Sequence, residues 1–169
     1  MASASESSLA LIALGSNLGD SAKILAAAFE RLRVLSDEAL RCSSLWQTAP
    51  VDCPPGSPPF LNEAVALVPR SGETPESLLE KLQVLEKEFG RRPKQIFNEP
   101  RPLDLDLIAF GNEERNTPLF TLPHPRAHLR RFVLAPLAEA APQFLLPGKQ
   151  RTVAGLLAGL PPDETARRL

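Results

Sequence analysis

Apolar and polar residues are arranged along the first half of the chain in a way that predicts a strand, a helix and a second strand. Residues 9–14 form a short apolar run that stops at Gly15, which is typical of a buried strand. Apolar residues then recur every three or four positions over residues 24–35, so this pattern predicts an amphipathic helix. Residues 40–46 are predicted to form the second strand.

The second half of the chain continues this alternation. Residues 60–68 have the period of a strand, which places Phe60 and Asn62 together on one face. Thr74 is the predicted cap of a second helix that carries an apolar stripe. Residues 103–110, in which aliphatic residues and Phe110 predominate, are predicted to form a strand. Further predicted elements are a short returning strand at residues 119–122 and helices at residues 132–140 and 153–160.

The order of these elements predicts an α+β fold. Strand, helix, strand, strand, helix and strand, followed by further helices, fit a ferredoxin-like βαββαβ sandwich with extra C-terminal helices. We expect antiparallel pairing to place the first and fourth strands at the centre of the sheet. Long proline-rich loops are expected around it, because residues 48–59 contain five prolines and proline interrupts strand pairing. A loop of this length suggests a lid or a wall of a site.

Length and charge limit the classes of protein to which this chain can belong. With 169 residues and 43% hydrophobic content, the chain can bury one core, so residues 9–169 are predicted to form a single domain after a disordered tail of residues 1–8. The 19 basic and 20 acidic residues nearly balance, and this predicts binding neither to nucleic acid nor to a membrane. No apolar stretch is long enough to span a bilayer, and the tail carries no positive charge, so no signal peptide is expected.

The two cysteines indicate a reducing compartment. Cys42 and Cys53 are too few, and lack the flanking residues, for a zinc site or a disulfide framework. We therefore expect free thiols in a cytoplasmic protein, which is predicted to be a monomer.

The most informative chemistry lies in the fourth predicted strand. Asp104 and Asp106 alternate with aliphatic residues, so both carboxylates are expected on one face of that strand. Side by side they repel each other and need water or cations, and Mg²⁺ that carries phosphates suits two carboxylates beside an open cleft. Taken alone, the pair is also compatible with an edge strand that has a solvated polar face. Arg91 and Arg101 precede the pair and favour polyphosphate binding.

Two other short segments give weaker signals. The turn at residues 15–19, with the sequence GSNLG, lacks the lysine and hydroxyl of a phosphate-binding P-loop, so its glycines are expected to serve the backbone. His124 lies between two prolines, where it is either a structural hydrogen-bonding group or a phosphate contact.

Five blocks together resemble one known family. They are ALGSNLGD at residues 13–20, SSLWQTAP at 43–50, FLNEAVAL at 60–67, EPRPLDLDLIAFG at 99–111 and LPHPR at 122–126. Their order and spacing resemble the 6-hydroxymethyl-7,8-dihydropterin pyrophosphokinases over residues 9–160. The resemblance implies transfer of pyrophosphate from ATP to the hydroxymethyl group of a reduced pterin, with release of AMP, in folate biosynthesis.

The same resemblance implies roles for individual residues. Asp104 and Asp106 would ligate two Mg²⁺ ions that bridge the ATP phosphates, and Arg91 and Arg101 would be the catalytic arginines. The implied ATP contacts are Gln83, Glu86, Arg101, Leu107, Thr121, His124 and Arg130. The implied pterin contacts are Thr48, Pro50, Phe60, Asn62 and Phe132. A flat ring with an amide-like edge is suited to two aromatic faces and a few directed polar groups.

This chain departs from the family pattern at a few positions. Asn98 and Glu99 stand where some members have Trp and Gly, Pro93 stands where an Arg can occur, and Pro125 follows His124 where an aromatic residue can stand. These differences concern nucleotide contacts and loop closure. No residue is an obvious general base.

Two other functions are compatible with the residues alone. One is a non-catalytic ferredoxin-like module that binds a small ligand through the same sheet. The other is a different Mg²⁺-dependent transferase of the DxD type, acting with a nucleotidyl or glycosyl donor. The binding module predicts no AMP formation. An altered sugar product, or labelled nucleotide retained on the acceptor, would favour the other transferase.

Overall fold

The computed structural model describes residues 6–50, 53–162 and 166–169, and these form a mixed α/β fold around a six-stranded antiparallel sheet, with a separate two-stranded sheet at residues 115–122. The strands are β1 (Ala10–Ser16), β2 (Arg41–Cys42), β3 (Trp46–Thr48), β4 (Phe60–Leu67), β5 (Asp104–Phe110), β6 (Arg115–Asn116), β7 (Thr121–Leu122) and β8 (Ala166–Arg168). The helices are α1 (Ser21–Arg33), α2 (Pro75–Glu88), α3 (Arg131–Ala140) and α4 (Val153–Ala158). Two short 3-10 turns lie at Glu6–Ser8 and Ala127–Leu129. The rest of the predicted disordered tail lies outside the described residues.

The order of strands in the sheet corrects one expectation. The path runs β5-β1-β4-β3-β8, with β2 also paired to β4. The fourth predicted strand, β5, therefore flanks the sheet, and the third, β4, lies beside β1 at the centre. The physical reason is burial: β4 carries Ala64 and Ala66 on one face and Val65 and Leu67 on the other, all buried. By contrast, β5 carries Asp104 and Asp106 on one face, and these carboxylates need an edge position where water or a cation can reach them.

The strand predicted at residues 40–46 is divided in two. Ser43 causes the interruption, because its hydroxyl accepts the Ala64 N–H at 2.9 Å while its own N–H donates to the Ala64 carbonyl at 2.9 Å. Pairing resumes at β3, which therefore includes Thr48 instead of leaving it in the proline-rich loop. The C-terminal strand β8 was not predicted, and it pairs with β3 through Trp46 and Arg168.

Helix ends follow local chemistry. Asp20 caps α1 by accepting the Lys23 N–H, and Thr74 caps α2 in a reciprocal box with Ser77. Gly90, after α2, has a φ of 97°, which glycine adopts without strain. The predicted cap and apolar stripe of α2 are thus confirmed.

The helices cover both faces of the sheet. The helices α1 and α2 pack on one face, where Leu25 and Leu82 join Ile12 of β1 in a buried cluster. On the other face, Leu134 of α3 and Val153 of α4 cluster with Leu11. Each fully buried aliphatic side chain of this kind contributes about 1.5–3 kcal/mol from burial. Within the described residues, no helix is long and apolar enough to cross a membrane.

Candidate active site

The edge strand β5 brings both predicted acids to an open part of the sheet. Asp106 pairs with Ala13 and Asp104 with Gly15, so their side chains lie on the face of the sheet that carries α3. Leu105 and Leu107 point to the opposite face and are buried. The predicted alternation of β5 is therefore confirmed.

Two clefts adjoin at these acids. The larger has a volume of about 510 Å³ and the smaller about 320 Å³, and Asp104 and Asp106 line both of them. The predicted pterin residues in the larger cleft are Thr48, Phe60, Asn62 and Phe132. The predicted ATP residues in the smaller cleft are Gln83, Glu86, Leu107, Thr121 and His124. The structure therefore brings two residue sets that are far apart in sequence to opposite sides of one carboxylate pair.

Three of the predicted substrate contacts do not line the cleft that their predicted role implies. Arg101 and Arg130, both predicted ATP contacts, line the larger cleft. Pro50 lines neither described cleft, although its neighbour Ala49 lines the larger one. The two predicted catalytic arginines are thus divided, since Arg91 lines the smaller cleft.

Asp104 is held between the two arginines. Arg91 donates from Nη1 to Asp104 Oδ1 at 2.6 Å, and Arg101 Nε lies 3.5 Å from Oδ2. The side chains of Asp104, Arg91 and Arg101 are 22%, 21% and 16% exposed, so this cluster is only partly reached by water. The two guanidinium groups offset the carboxylate charge where no other cation is present.

Asp106 lacks such a close partner among the hydrogen bonds and ion pairs of the described residues. Burial, and the nearby negative charges of Asp104 and Glu86, raise its pKa from 3.8 to about 7. Arg101 and Arg91 oppose this shift but do not cancel it. The pair is therefore short of positive charge, and a cation beside it would lower that pKa.

Glu86 fastens the end of α2 to the edge of the sheet. Its Oε2 accepts the Leu105 N–H at 2.9 Å and an Arg91 N–H at 2.9 Å. Burial raises the pKa of Glu86 above its usual value, and the two donors act in the opposite direction. This carboxylate orients Arg91 and occupies an edge N–H of β5 that would otherwise lack a partner.

Arg101 carries donors that the protein does not use. Its guanidinium lies 5.3 Å from the centroid of the Phe60 ring. The Nε and Nη1 atoms are buried and have no hydrogen-bond partner, since the approach of Nε to Asp104 lacks hydrogen-bond geometry. Unused buried donors beside a cleft are suited to an anionic oxygen.

The larger cleft combines aromatic rings with a buried amide. Asn62 is 8% exposed and donates from Nδ2 to Thr48 Oγ1 at 2.7 Å. Its Oδ1 lies 3.4 Å from where a Cβ on Gly15 would stand, and Phe60 lies 3.7 Å from the same point. The absent side chain of Gly15 therefore leaves room beside both groups. Phe132, at the start of α3, packs its ring 5.6 Å from the Arg130 guanidinium.

His124 is anchored to the edge strand. Its N–H donates to the Ile108 carbonyl at 2.8 Å, and its Nδ1 accepts the Arg126 N–H at 3.2 Å. Burial first, and then the Arg130 cation, lower the pKa of His124 below its usual value. A lowered pKa favours the neutral ring, and an Nδ1 that accepts leaves the ring proton on Nε2. His124 lines the smaller cleft.

The carboxylate pair fits magnesium better than a metal that needs a protein cage. No group of three or more His, Cys, Asp or Glu side chains suited to a metal occurs among the described residues. Magnesium typically takes one or two carboxylates and completes its shell with waters and substrate phosphates. Asp104 and Asp106 offer that donor set beside both clefts.

One residue of the site was missed from the sequence. Asn17 is 3% exposed and bonds to segments on two sides of the larger cleft. The GSNLG turn was interpreted through its glycines alone, and Gly19, with a φ of 82°, does serve the backbone. A polar amide directly after a buried strand was the available signal.

Comparison with known proteins gives one consistent result. The family model described as 7,8-dihydro-6-hydroxymethylpterin-pyrophosphokinase (HPPK) matches residues 11–142. The chain is similar to the 2-amino-4-hydroxy-6-hydroxymethyldihydropteridine pyrophosphokinase of Synechocystis, with 37% identity over 149 residues, covering 88% of this chain and 74% of the relative. It is also similar to the Haemophilus influenzae protein of the same name, at 39% identity over 142 residues, covering 83% and 86%.

A solved structure supports the fold. The chain aligns with an HPPK-DHPS chain crystallised in complex with substrates, with a TM-score of 0.72 and 11% identity. The alignment covers 95% of this chain and 46% of the other, so this chain spans less than half the length of that protein.

Proposed function

The chain belongs to the 7,8-dihydro-6-hydroxymethylpterin-pyrophosphokinase family, and from this premise we propose that it transfers pyrophosphate from ATP to the hydroxymethyl group of the dihydropterin in folate synthesis. The observation that carries this proposal is the meeting of two clefts at Asp104 and Asp106. A transfer between two substrates needs two binding sites that share one reacting point.

The reaction balances as a displacement at phosphorus. A bond forms between the pterin hydroxymethyl oxygen and the β-phosphorus of ATP. The bond from that phosphorus to the oxygen bridging the α-phosphate breaks, and AMP leaves with the electron pair. The hydroxyl proton passes to solvent or to phosphate, because Asp104 and Asp106, the carboxylates where the two clefts meet, are assigned to the metal.

The two clefts divide the substrates. The pterin lies in the larger cleft between Phe60 and Phe132, with Asn62 and Thr48 at its polar edge. Aromatic faces suit a flat heterocycle, and an amide can both donate to and accept from its edge. ATP lies in the smaller cleft, where Gln83, Thr121 and His124 contact the nucleotide. The triphosphate then extends towards Asp104 and Asp106.

The arginines act on the phosphates. Arg101 is the stronger candidate for transition-state stabilisation, because its buried donors are unused and it lines the pterin side of the acids. Arg91 already pairs with Asp104 and Glu86, so binding of phosphate or metal must compete with those contacts. Arg130 contributes positive charge from the larger cleft.

Magnesium is the cofactor that these residues fit. Asp104 and Asp106 would hold two Mg²⁺ ions, which when bound would neutralise the triphosphate and help orient its β-phosphorus. The chain's own residues bind and orient both substrates. The proline-rich loop and the loop at residues 91–102, which carries Arg91, Arg92 and Arg101, exclude water around them.

The finer description of the molecule is part of the same proposal. The order of elements supports a ferredoxin-like sandwich, with α3 and α4 as additions and long proline-rich loops. We infer a cytoplasmic monomer in which Cys42 and Cys53 are reduced thiols. Light scattering at working concentration tests the monomer, and a mass of twice 18.4 kDa would contradict it.

The direct test uses the purified chain with ATP, Mg²⁺ and 6-hydroxymethyl-7,8-dihydropterin. AMP and pterin diphosphate should appear in equal amounts. ADP as the nucleotide product would mean attack at the γ-phosphorus. A glycosylated or nucleotidylated product would favour a different transferase, and pterin binding without turnover would favour a binding module.

The carboxylates are tested by Asp104→Asn and Asp106→Asn. Each should lower kcat by at least about 100-fold, since the shared anchor for the phosphates is lost. Mn²⁺ binding, followed by its electron paramagnetic signal in the presence of ATP, should weaken in both variants. Asp37→Asn, at an exposed aspartate that lines neither described cleft, is the matched control. Near-normal turnover in both site variants would rule out the assignment.

A further inference from the structure

Asn17 connects the end of β1 to the backbone of Arg101. Its Oδ1 accepts the Arg101 N–H at 2.9 Å, and its own N–H donates to the Arg101 carbonyl at 3.1 Å. Both polar groups of the Arg101 peptide backbone are therefore bound by one residue. Arg101 lies outside the sheet ladder, since β5 begins at Asp104, so this pair of bonds replaces strand pairing at that point.

The same side chain also holds the proline-rich loop. Asn17 Nδ2 donates to the Pro58 carbonyl at 3.2 Å. Ala49 and Cys53 of this loop line the larger cleft, as does Arg101 on the other segment. One amide thus joins two walls of that cleft to the central strand β1.

The burial of Asn17 makes this connection specific. The residue is 3% exposed, so an amide that lost either partner would have no water to replace it. An aliphatic side chain of the same size would leave the Arg101 N–H and the Pro58 carbonyl without these partners. The geometry requires an acceptor and a donor on the same short side chain, which Asn supplies.

We propose that Asn17 is a positioning residue that sets Arg101 and the proline-rich loop as the two walls of the pterin cleft. The inference rests on the proposed function, because it assigns Arg101 to the transferring phosphate. Asn17 touches neither substrate in this scheme, and it acts through Arg101 and through the loop that contains Pro58.

The first test compares Asn17→Ala with Ser16→Ala. Ser16 is the neighbouring, fully buried residue, and its hydroxyl donates to Ser21 at 2.8 Å, so its loss perturbs the same turn without touching either wall. We expect Asn17→Ala to lower kcat roughly 10- to 100-fold, as a misplacement of about 1 Å can. The KM for the pterin should rise, while the KM for ATP should stay within about twofold, because Arg101 is assigned to the phosphate in the transition state and Asn17 hydrogen-bonds to no described residue of the smaller cleft. Kinetics for both variants within about twofold of each other would overturn the proposal.

The second test is a double-variant cycle with Arg101→Ala. If Asn17 acts on the chemical step through Arg101, Asn17→Ala should lower kcat less than about twofold further when Arg101 is already absent. An undiminished loss in the Arg101→Ala background would contradict that route.

If Asn17→Ala does not fold, Asn17→Asp at pH 8 takes its place, because a carboxylate can still accept the Arg101 N–H but cannot donate to Pro58. This variant should retain most of kcat and raise the pterin KM. A loss of kcat without a rise in pterin KM would refute the proposal that the bond to Arg101 supports kcat and the bond to Pro58 supports pterin binding.

A third readout needs no turnover. Hydrogen exchange of the Arg101 amide should accelerate at least about tenfold in Asn17→Ala relative to Ser16→Ala, because its acceptor is gone. Unchanged exchange would overturn the tether even if the enzyme were active. An inactive wild type would count against the proposed function, whereas this measurement would still decide the tether.

Discussion

At the scale of single residues, the site depends on how a crowded set of carboxylates is neutralised. Asp104 is paired with two arginines, whereas Asp106 carries a raised pKa of about 7. The two acids were predicted as equivalent metal ligands, since their spacing on the strand is the only property that the sequence provides. Both arginines come from the loop between α2 and β5, and the folded loop directs them to Asp104.

Asp106 should give the metal-free protein a distinctive pH dependence. Its pKa is about 7 in the folded state against 3.8 as the ordinary value, so the folded state binds more protons between those values. The free energy of unfolding should therefore fall as pH rises from about 4 to about 7, with a slope of at most about 1.4 kcal/mol per pH unit. Urea unfolding at several pH values without Mg²⁺ measures it. Asp106→Asn should flatten this part of the curve and be the more stable protein at pH 8. A steeper fall in the variant than in the wild type would contradict the explanation.

At the scale of elements, helix α2 illustrates how a local signal serves a distant site. The Thr74 cap and Ser77 form reciprocal bonds at one end, while Gln83 and Glu86, further along α2, line the smaller cleft. The cap was predicted correctly because it depends on residues three positions apart. The bond from Glu86 to Leu105 was not, because it joins residues 19 positions apart.

The cap should contribute to stability without affecting catalysis. Thr74→Ala removes the acceptor of the Ser77 N–H and should lower the free energy of unfolding by about 1 kcal/mol. Its kcat and both KM values should match the wild type, because Thr74 lines neither described cleft. Ser71→Ala, in the exposed turn before α2, is the control for stability. A kinetic loss larger than the loss in folded fraction would show that α2 transmits strain to the site.

The same scale explains the errors in the strands. Ser43 interrupts a segment whose apolar pattern predicted one strand, because its side chain competes with backbone pairing. The C-terminal strand β8 has the sequence ARR, which lacks an apolar period. It forms because β3 offers a free edge, and only the folded sheet creates that edge.

At the scale of the whole molecule, two cores share one sheet. The cluster under α1 and α2 and the cluster under α3 and α4 are the two faces of β1 and β4. Because the same strands support both cores, loss of one core removes the support of the other. The single domain stays a prediction.

Unfolding should therefore be one cooperative transition. Leu25→Ala lies in one cluster and Leu134→Ala in the other, and each should lower the free energy of unfolding by about 2–5 kcal/mol. Far-UV circular dichroism and the fluorescence of Trp46, the single tryptophan, should change together in both variants. Separate transitions in either variant would indicate two units and contradict the single domain.

The sequence alone predicted most of the elements and the candidate residues of the site. Hydrophobic period and capping residues act over a few positions, so they located the helices, the faces of β4 and β5, and the carboxylate pair. The motif blocks indicated the family, and the family comparisons confirmed it. These signals can be read locally because each depends on neighbours in the chain.

The tertiary structure alone decided which of these parts meet. The central place of β4, the bond from Arg91 to Asp104, the meeting of two clefts and the tether at Asn17 all join residues that are far apart in the chain. Such contacts form only when several elements bury their apolar faces together. The sequence of one segment does not specify which other segments it will contact. The separation of the two clefts is therefore a property of the fold, whereas the carboxylates between them are a property of the sequence.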